Sequence, residues 1–141
     1  MRYTDEQLSR IYDRTSGYCH ICGGKLYYSN YGKARKRGGW HVDHSRAKAN
    51  GGTDRLNNLY AACISCNLDK GTVTTRTARR WHGRKKAPLD REGRKAARRE
   101  NAVVGGGIGT VAGFLLLGPW GALAGGALGA RLGYKANPDK L

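Results

Sequence analysis

The sequence predicts an α+β fold, in which a small domain of short helices and a β-hairpin precedes a basic linker and a glycine-rich helical segment or hairpin. Three observations carry this prediction. Residues 4–12 have the periodicity of a capped helix, and Trp40–His44 alternates apolar and polar side chains as a strand does. From residue 102 onward the chain is apolar and rich in glycine, which is typical of closely packed helices.

The N-terminal part predicts its elements in the order helix, tight turn, hairpin, helix. Thr4 and Gln7 form the signature of a capping box, and the apolar side chains that follow share one helical face: Leu8, Ile11 and Tyr12. Gly17 ends that run. Residues 18–24 are expected to form a tight metal-binding turn. Residues 58–62 should return as the second strand, and residues 63–71 should begin a second helix.

Positive charge dominates the composition. The 141 residues include 26 Lys and Arg against 10 Asp and Glu, a formal net charge of +16, and residues 76–100 alone carry 11 basic and 3 acidic side chains. Such a field attracts polyanions, either nucleic acid or an anionic membrane surface. Composition changes near residues 72 and 101. These changes predict a domain over residues 1–71, a basic linker over 72–101, an apolar segment over 102–135 and a polar tail over 136–141.

Four cysteines occur as two Cys-x-x-Cys pairs, Cys19 with Cys22 and Cys63 with Cys66. Residues 1–14 are polar and lack the apolar core of a signal peptide, so we expect a cytoplasmic protein with reduced thiols. Two such pairs deliver four thiolates to one tetrahedral zinc ion. Four protein ligands leave no open position, so this Zn²⁺ is predicted to be structural. It would hold together the ends of the 40-residue insert between the pairs.

Further motifs follow one another in the stretch WHVDHSRAKANGGTDRLNNLYAACISCNLDKG. They are an Asp-His pair after a strand, Gly-Gly in the next loop, Asn-Leu at the return strand, and Cys-x-x-Cys-Asn with a nearby Lys-Gly. Together, over residues 18–71, they resemble the HNH endonuclease family, a branch of the His-Me-finger or ββα-metal nucleases. The resemblance implies a ββα-metal domain that hydrolyses the phosphodiester bonds of DNA with the help of a divalent cation.

The chemistry of that reaction indicates a role for each motif residue. His44 is the candidate general base, because imidazole titrates near neutrality and accepts the proton of an attacking water. The resemblance makes Asp43 and Asn67 the ligands of a catalytic Mg²⁺ or Mn²⁺ ion, and makes Asn58 the residue that holds the catalytic loop. Some family members carry His where this chain has Asn67. A neutral amide oxygen there favours magnesium over a softer ion.

Other polar residues near these motifs carry weaker signals. Arg46 and Lys70 are expected to bind the substrate phosphate through charge-assisted hydrogen bonds. His41 shares a strand face with Asp43, and we interpret it as packed or solvent-facing rather than as a further ligand. No catalytic role is assigned to the two remaining histidines, His20 and His82.

The basic stretch at residues 76–99 has three interpretations. The first is a helix that lies along the DNA backbone, the second a charged linker without regular structure, and the third a polybasic segment next to a membrane. Gly83, Pro88 and Gly93 argue against one continuous helix.

Residues 101–130 contain no charged side chain, and glycine recurs at every fourth position on both sides of Gly118. On a helix these glycines form one flat stripe, which resembles the glycine-zipper segments of small bacterial envelope and phage proteins. One kinked helix is long enough to span a membrane, which takes ~20 residues. Two arms joined at Gly118 would each reach only ~22 Å at ~1.5 Å per residue. Basic residues at both ends favour this hairpin through the positive-inside rule. A buried hairpin in a soluble oligomer is the third interpretation.

The predicted function is therefore that of a DNA endonuclease whose residues 102–134 associate with a membrane, with the nuclease domain at its cytoplasmic side. The glycine stripe also allows a homo-oligomer. One alternative is a non-catalytic zinc module that tethers DNA to a membrane. Another is a membrane-active toxin or lysis element. Phage exclusion, defence and toxin action all remain open biological settings.

Overall fold

The structure is a computed structural model that describes residues 3–140 of the chain. Its contacts divide the chain into two compact units, Met1–Arg91 and Glu92–Leu141. The first unit therefore extends well beyond the domain boundary expected at residue 71. The reason is a helix in the basic stretch that packs into the core of the first unit.

The first helix, α1 (Asp5–Asp13), has the capping box that its sequence predicts. The Gln7 amide N–H donates to Thr4 Oγ1 at 3.3 Å, and the Thr4 amide N–H donates to Gln7 Oε1 at 3.0 Å. Leu8 and Ile11 face the core. After the helix the chain turns at Gly17, whose φ is +73° and where a Cβ atom would lie 2.4 Å from the Tyr12 hydroxyl oxygen. Glycine is required at this turn for both reasons.

A two-stranded antiparallel hairpin forms the centre of the first unit. Strand β1 (Trp40–His44) pairs with β2 (Leu59–Cys63), so that Trp40 lies opposite Cys63 and His44 opposite Leu59. The second strand starts one residue later than its predicted start at residue 58. That residue ends a 3-10 turn, and its side chain bonds to the preceding loop.

Trp40 fills the centre of the core with a fully buried indole ring. Three tyrosine rings surround it, with centroids 4.9 to 6.2 Å from the indole: Tyr12, Tyr28 and Tyr31. These distances are typical of tilted and edge-on aromatic pairs. The indole N–H donates to the Tyr28 carbonyl at 3.3 Å. The aromatic cluster fixes the end of β1 next to the cysteines.

Two short helices follow the hairpin, α2 (Ile64–Lys70) and α3 (Thr75–Arg80). Helix α2 begins directly after β2, in agreement with the helix expected from residue 63. Helix α3 lies inside the stretch expected to be a basic linker. Thr74 caps it by accepting a hydrogen bond from the Thr77 amide N–H, and Ala78 is fully buried. This helix of the basic stretch is therefore an integral part of the domain.

The second unit is a helical hairpin. Helix α4 (Arg91–Lys135) is interrupted at Gly118, whose φ of 66° and ψ of −153° are not helical. Glycines of the two arms meet backbone to backbone. A Cβ atom on Gly109 would lie 2.0 Å from the Gly125 carbonyl oxygen, and one on Gly105 would lie 2.3 Å from that of Gly129. As residue numbers increase along the first arm, those of the facing residues in the second arm decrease, so the two arms are antiparallel.

Candidate metal centre and catalytic site

The four cysteines form one cluster, as their spacing predicts. Their sulfur atoms all lie within 4.8 Å of one another, and none is in a disulfide. The Cys22 and Cys63 sulfurs are 3.9 Å apart. Zinc–sulfur bonds of about 2.3 Å place the sulfurs of a tetrahedral site about 3.8 Å apart. The donor set and its spacing therefore fit a structural zinc ion.

Neighbouring groups direct hydrogen bonds toward the cysteine sulfurs. The Gly24 amide N–H donates to Cys22 Sγ at 3.4 Å, and the Ser65 hydroxyl lies 3.4 Å from Cys63 Sγ. His82 Nε2 lies 3.5 Å from Cys66 Sγ. Such contacts stabilise thiolate charge and orient metal ligands. The sequence does not predict the contact of His82 with Cys66, because His82 follows Cys66 by sixteen positions.

Crowding of the sulfur atoms changes their acidity. Hydrogen bonds from Cys19 and Cys22 lower the pKa of Cys63. Hydrogen bonds with Cys19 and Cys63, together with burial, raise the pKa of Cys22. A doubly charged cation is what would stabilise four thiolates at this spacing.

The hairpin separates the cysteine cluster from His44. Cys63 ends β2 and lies opposite Trp40 at the start of β1, whereas His44 lies at the far end of β1. Four residue steps at ~3.4 Å each place these two ends ~14 Å apart. A zinc ion bound to the cysteines would therefore hold one end of the hairpin and take no direct part in chemistry at the other.

At the far end of β1, His44 is held by an acidic residue that sequence reasoning missed. Its Nε2 atom lies 2.8 Å from Asp54 Oδ1, and Lys48 Nζ donates to Asp54 Oδ2 at 2.7 Å. Hydrogen bonds from Lys48 and His44 lower the pKa of Asp54, so this carboxylate is ionised and only accepts. His44 must then donate from Nε2, which leaves the lone pair on Nδ1. The Gly-Gly-Thr-Asp sequence of the loop was the available signal for Asp54.

Asn58 ties the loop after β1 to the start of β2. Its Oδ1 accepts from the Arg46 amide N–H at 2.8 Å, and its Nδ2 donates to the carbonyls of Arg46 and Thr53 at 3.1 and 2.8 Å. Three of the four hydrogen-bonding directions of an amide side chain are thus used. This bonding is what a residue that holds the loop requires, and its importance for catalysis stays a prediction.

Asp43 is buried, and both of its carboxylate oxygens have protein partners. Lys70 Nζ donates to Oδ1 at 3.0 Å, and His20 Nε2 donates to Oδ2 at 2.7 Å. Lys70 is only 1% exposed and also donates to the His44 carbonyl at 2.8 Å. This placement differs from the expectation that Lys70 reaches phosphate at the surface. The buried carboxylate explains the difference, since a charge at such a site needs a charged partner.

His20, which the sequence left without a role, lies at the centre of this buried network. Arg79 donates from Nε to the His20 carbonyl at 2.8 Å and from Nη2 to its Nδ1 at 3.3 Å. Nδ1 is therefore the acceptor and Nε2 carries the proton donated to Asp43. Burial lowers the pKa of His20, in agreement with a neutral ring. The ring also stacks on Tyr60, with centroids 5.0 Å apart.

The remaining predicted site residues lie around this network. Asn67 is half-buried on α2, one helical turn before Lys70, so both face the same side of the helix. Arg46 is exposed and donates from Nε to the Asn50 carbonyl at 2.6 Å. A polar cavity of about 680 Å³ opens beside Arg46. Its lining also includes Ser45, Thr53, Asn58, Arg76 and Arg79.

Comparison with known proteins gives one match. The family model described as HNH endonuclease matches residues 19–72, and no curated protein and no solved structure matches the chain. The matched region contains both cysteine pairs, the hairpin and α2, and it ends before α3. The part of the chain that holds the candidate metal centre and His44 therefore matches the HNH endonuclease family.

Proposed function

We propose that the chain is a metal-dependent DNA endonuclease whose general base is His44. The observation that carries the proposal is the contact of His44 with an ionised carboxylate, Asp54, inside a region that matches the HNH endonuclease family. A carboxylate that accepts from one imidazole nitrogen fixes the tautomer and leaves the other nitrogen basic. That arrangement suits proton abstraction from water.

In the proposed reaction, His44 Nδ1 accepts a proton from a water molecule while the water oxygen forms a bond to phosphorus. The bond between phosphorus and the leaving sugar oxygen breaks, and that oxygen takes up a proton from solvent. Asp54 stabilises the imidazolium form of His44 after the transfer. A bound divalent cation would supply positive charge to stabilise the phosphate oxygens.

Asp43 and Asn67 are the residues we propose as protein ligands of that cation, Mg²⁺ or Mn²⁺. Carboxylate and amide oxygens suit these ions, which retain several water ligands. Lys70 Nζ lies 3.0 Å from Asp43 Oδ1, so its ammonium charge would repel a cation that binds the same carboxylate. Cation binding and the Lys70–Asp43 pair are therefore expected to compete.

DNA is the proposed substrate because of the charge of the chain and the position of its arginines. Arg46 and Arg76 line the cavity beside the loop that follows His44. Their guanidinium groups are suited to bind phosphate oxygens in bidentate fashion. The basic residues of α3 and of the start of α4 add sequence-independent affinity, which falls as salt rises.

We also propose that residues 102–134 associate with a membrane and keep the nuclease at its cytoplasmic side. Within the described residues, α4 is the one helix that is long and apolar enough to cross a membrane. A toxin or lysis role, with the apolar segment acting first, is the alternative use of the same feature.

A second candidate function is DNA binding without cleavage, and the full bonding of Asp43 favours it. A cleavage assay on supercoiled plasmid with added Mg²⁺, added Mn²⁺ or chelator separates the two functions. The endonuclease is expected to cut with either ion and to stop with chelator, while the zinc content measured in parallel stays constant. DNA binding with no cutting under any of these conditions would instead support the non-catalytic function.

A further inference from the structure

The outer surface of the second unit is apolar on both arms and at the tip. Thirteen large apolar or aromatic side chains between residues 103 and 134 are 49% to 82% exposed. Those near the interruption of α4 are 76% to 82% exposed: Leu115, Leu116, Leu117 and Trp120. Water-soluble proteins rarely expose apolar patches of this extent.

The inner surface of the hairpin is made of small residues. A Cβ atom on Gly113 would lie 1.9 Å from the Gly121 carbonyl oxygen, and one on Gly125 would lie 2.2 Å from that of Gly109. The hairpin thus turns its glycines inward and its large apolar side chains outward. This distribution is the reverse of a water-soluble helical hairpin, and it is the one found where lipid replaces water.

Charge is confined to the open end of the hairpin. Residues 101–130 carry no charged side chain. Because the arms are antiparallel, with Gly133 against Asn101, the start of the first arm and the end of the second arm lie together, opposite the tip. Arg94 is buried there in an ion pair with Asp139. The basic residues that are not buried are Lys95, Arg98, Arg99, Arg131 and Lys135, which outnumber the acidic Glu92 and Glu100. They form a basic collar that matches the negative surface of an anionic bilayer.

The apolar length of the hairpin is shorter than a bilayer. From residue 101 to the interruption at Gly118 the first arm rises ~25 Å at ~1.5 Å per residue, whereas the hydrocarbon core is ~30 Å thick. The uncharged tip can therefore remain inside the hydrocarbon core while the basic collar stays at the surface from which the hairpin entered.

We propose that the second unit is a hairpin inserted into an anionic lipid bilayer from one side. Its tip at Gly118 lies in the hydrocarbon core, and both ends of the hairpin lie on the entry side. This proposal deepens the membrane association proposed above and rests on it. Lipid fits better than a second copy of the chain, because exposed apolar side chains cover both arms and the tip. A second hairpin would cover one face of the first and leave the others in water.

A vesicle flotation assay with the full chain tests the lipid partner. Vesicles of phosphatidylcholine with phosphatidylglycerol are compared with vesicles of phosphatidylcholine alone. We expect the wild type to float with the anionic vesicles, and Leu116→Lys to lose at least tenfold in bound fraction. Leu68→Lys is the matched control, since Leu68 is 70% exposed, against 81% for Leu116, but lies on α2. Leu68→Lys should float as the wild type does.

Flotation of Leu116→Lys at the wild-type level would overturn the proposal, as would recovery of the wild type as a defined soluble oligomer that does not float. Plasmid cleavage by the same samples in solution is the separate readout for the nuclease. Cleavage by Leu116→Lys without flotation supports the hairpin proposal. Absence of cleavage by the wild type would contradict the endonuclease proposal and leave the hairpin proposal unaffected.

Protease accessibility tests entry from one side. The full chain is bound to preformed anionic vesicles, and trypsin is then added outside. A one-sided hairpin exposes the bond after Lys135, so the C-terminal tail is released without detergent and detected by mass spectrometry. A tail that is released only after detergent opens the vesicles would show a spanning helix and overturn one-sided insertion.

Discussion

At the scale of single residues, the proposed chemistry depends on how His44 is held. The ring lies at the end of β1, where its backbone carbonyl accepts from Lys70 and its Nε2 donates to Asp54. One contact fixes the strand end and the other fixes the tautomer. A general base must be placed within a few tenths of an ångström of its water, so both contacts should affect the rate of cleavage.

The Asp54 contact gives the first prediction. Asp54→Asn removes the charge that stabilises the protonated form of His44 and permits the wrong tautomer. We expect the single-turnover cleavage rate to fall about 100-fold, the usual consequence of a misplaced catalytic group, with little change in DNA affinity. Lys48→Ala, which removes the other partner of Asp54, is the matched control and should cost far less. Equal losses in both variants would point to loop disorder instead.

The buried pair of Lys70 and Asp43 gives the second prediction. Lys70→Met leaves the Asp43 carboxylate without its ammonium partner, and the side chains are 1% and 5% exposed. We expect the free energy of unfolding in zinc-containing buffer without Mg²⁺ to fall by about 3–5 kcal/mol in urea titrations. If Asp43 binds the catalytic cation, added Mg²⁺ should restore part of that loss. An unchanged loss in Mg²⁺ would argue that Asp43 is not a ligand.

The cysteine cluster and the network around Asp43 differ in how much of them the sequence predicts. The cysteine cluster could be predicted, because the spacing within each pair is local and chemically specific. The network around Asp43 could not. His20 and Asp43 are separated by 23 positions, and Arg79 comes from a stretch that its composition marks as a linker. Only the fold brings them together, and no periodicity marks such contacts.

At the scale of elements, the hairpin of β1 and β2 connects the cysteine cluster with the strand end that carries His44. Cys63 ends β2 and precedes α2, so metal binding at the cysteines fixes the strand and the helix that carries Asn67 and Lys70. A domain of this size buries a small core, so a metal ion at the cysteines is expected to supply much of its folding free energy.

Removal of one zinc ligand is therefore expected to affect the whole first unit. Cys22→Ser should abolish zinc binding and the cooperative thermal unfolding transition, because metal binding and folding are coupled. Ser65→Ala is the control, since Ser65 contacts the Cys63 sulfur but is not a ligand. It should retain one zinc per chain by atomic absorption. Retention of zinc and of the transition by Cys22→Ser would contradict the structural role of the cluster.

Two glycines in the first arm of α4 predict opposite effects of an alanine substitution on thermal stability. Ala at Gly109 places a Cβ atom 2.0 Å from the Gly125 carbonyl oxygen, whereas Gly107 has no atom within 4 Å of that position. Gly109→Ala should lower the thermal stability of the helical hairpin in detergent, measured by circular dichroism. Gly107→Ala should leave it unchanged or raise it, because Ala favours a helix by about 1 kcal/mol over Gly. Equal behaviour of the two variants would exclude close packing of the arms.

At the scale of the whole molecule, the chain consists of a metal-binding, positively charged unit and an apolar helical unit. Residue composition predicts a domain that ends at residue 71, whereas the contacts in the structure divide the chain after Arg91. The stretch after residue 71 is basic, yet Ala78 and Thr75 of α3 are buried in the first unit. Net charge reports on partners such as DNA or anionic lipid and carries little information about which basic segments pack into a core.

The most direct test of the central claim is the single-turnover rate of plasmid cleavage in Mg²⁺ by the wild type, His44→Ala and His41→Ala. His41 is the matched control, because it lies on the same strand three residues before His44. We expect His44→Ala to cut about 10²- to 10⁴-fold more slowly with unchanged zinc content and thermal stability, and His41→Ala to stay within a few-fold of the wild type. Cleavage by His44→Ala at the wild-type rate would contradict the assignment of His44 as the general base.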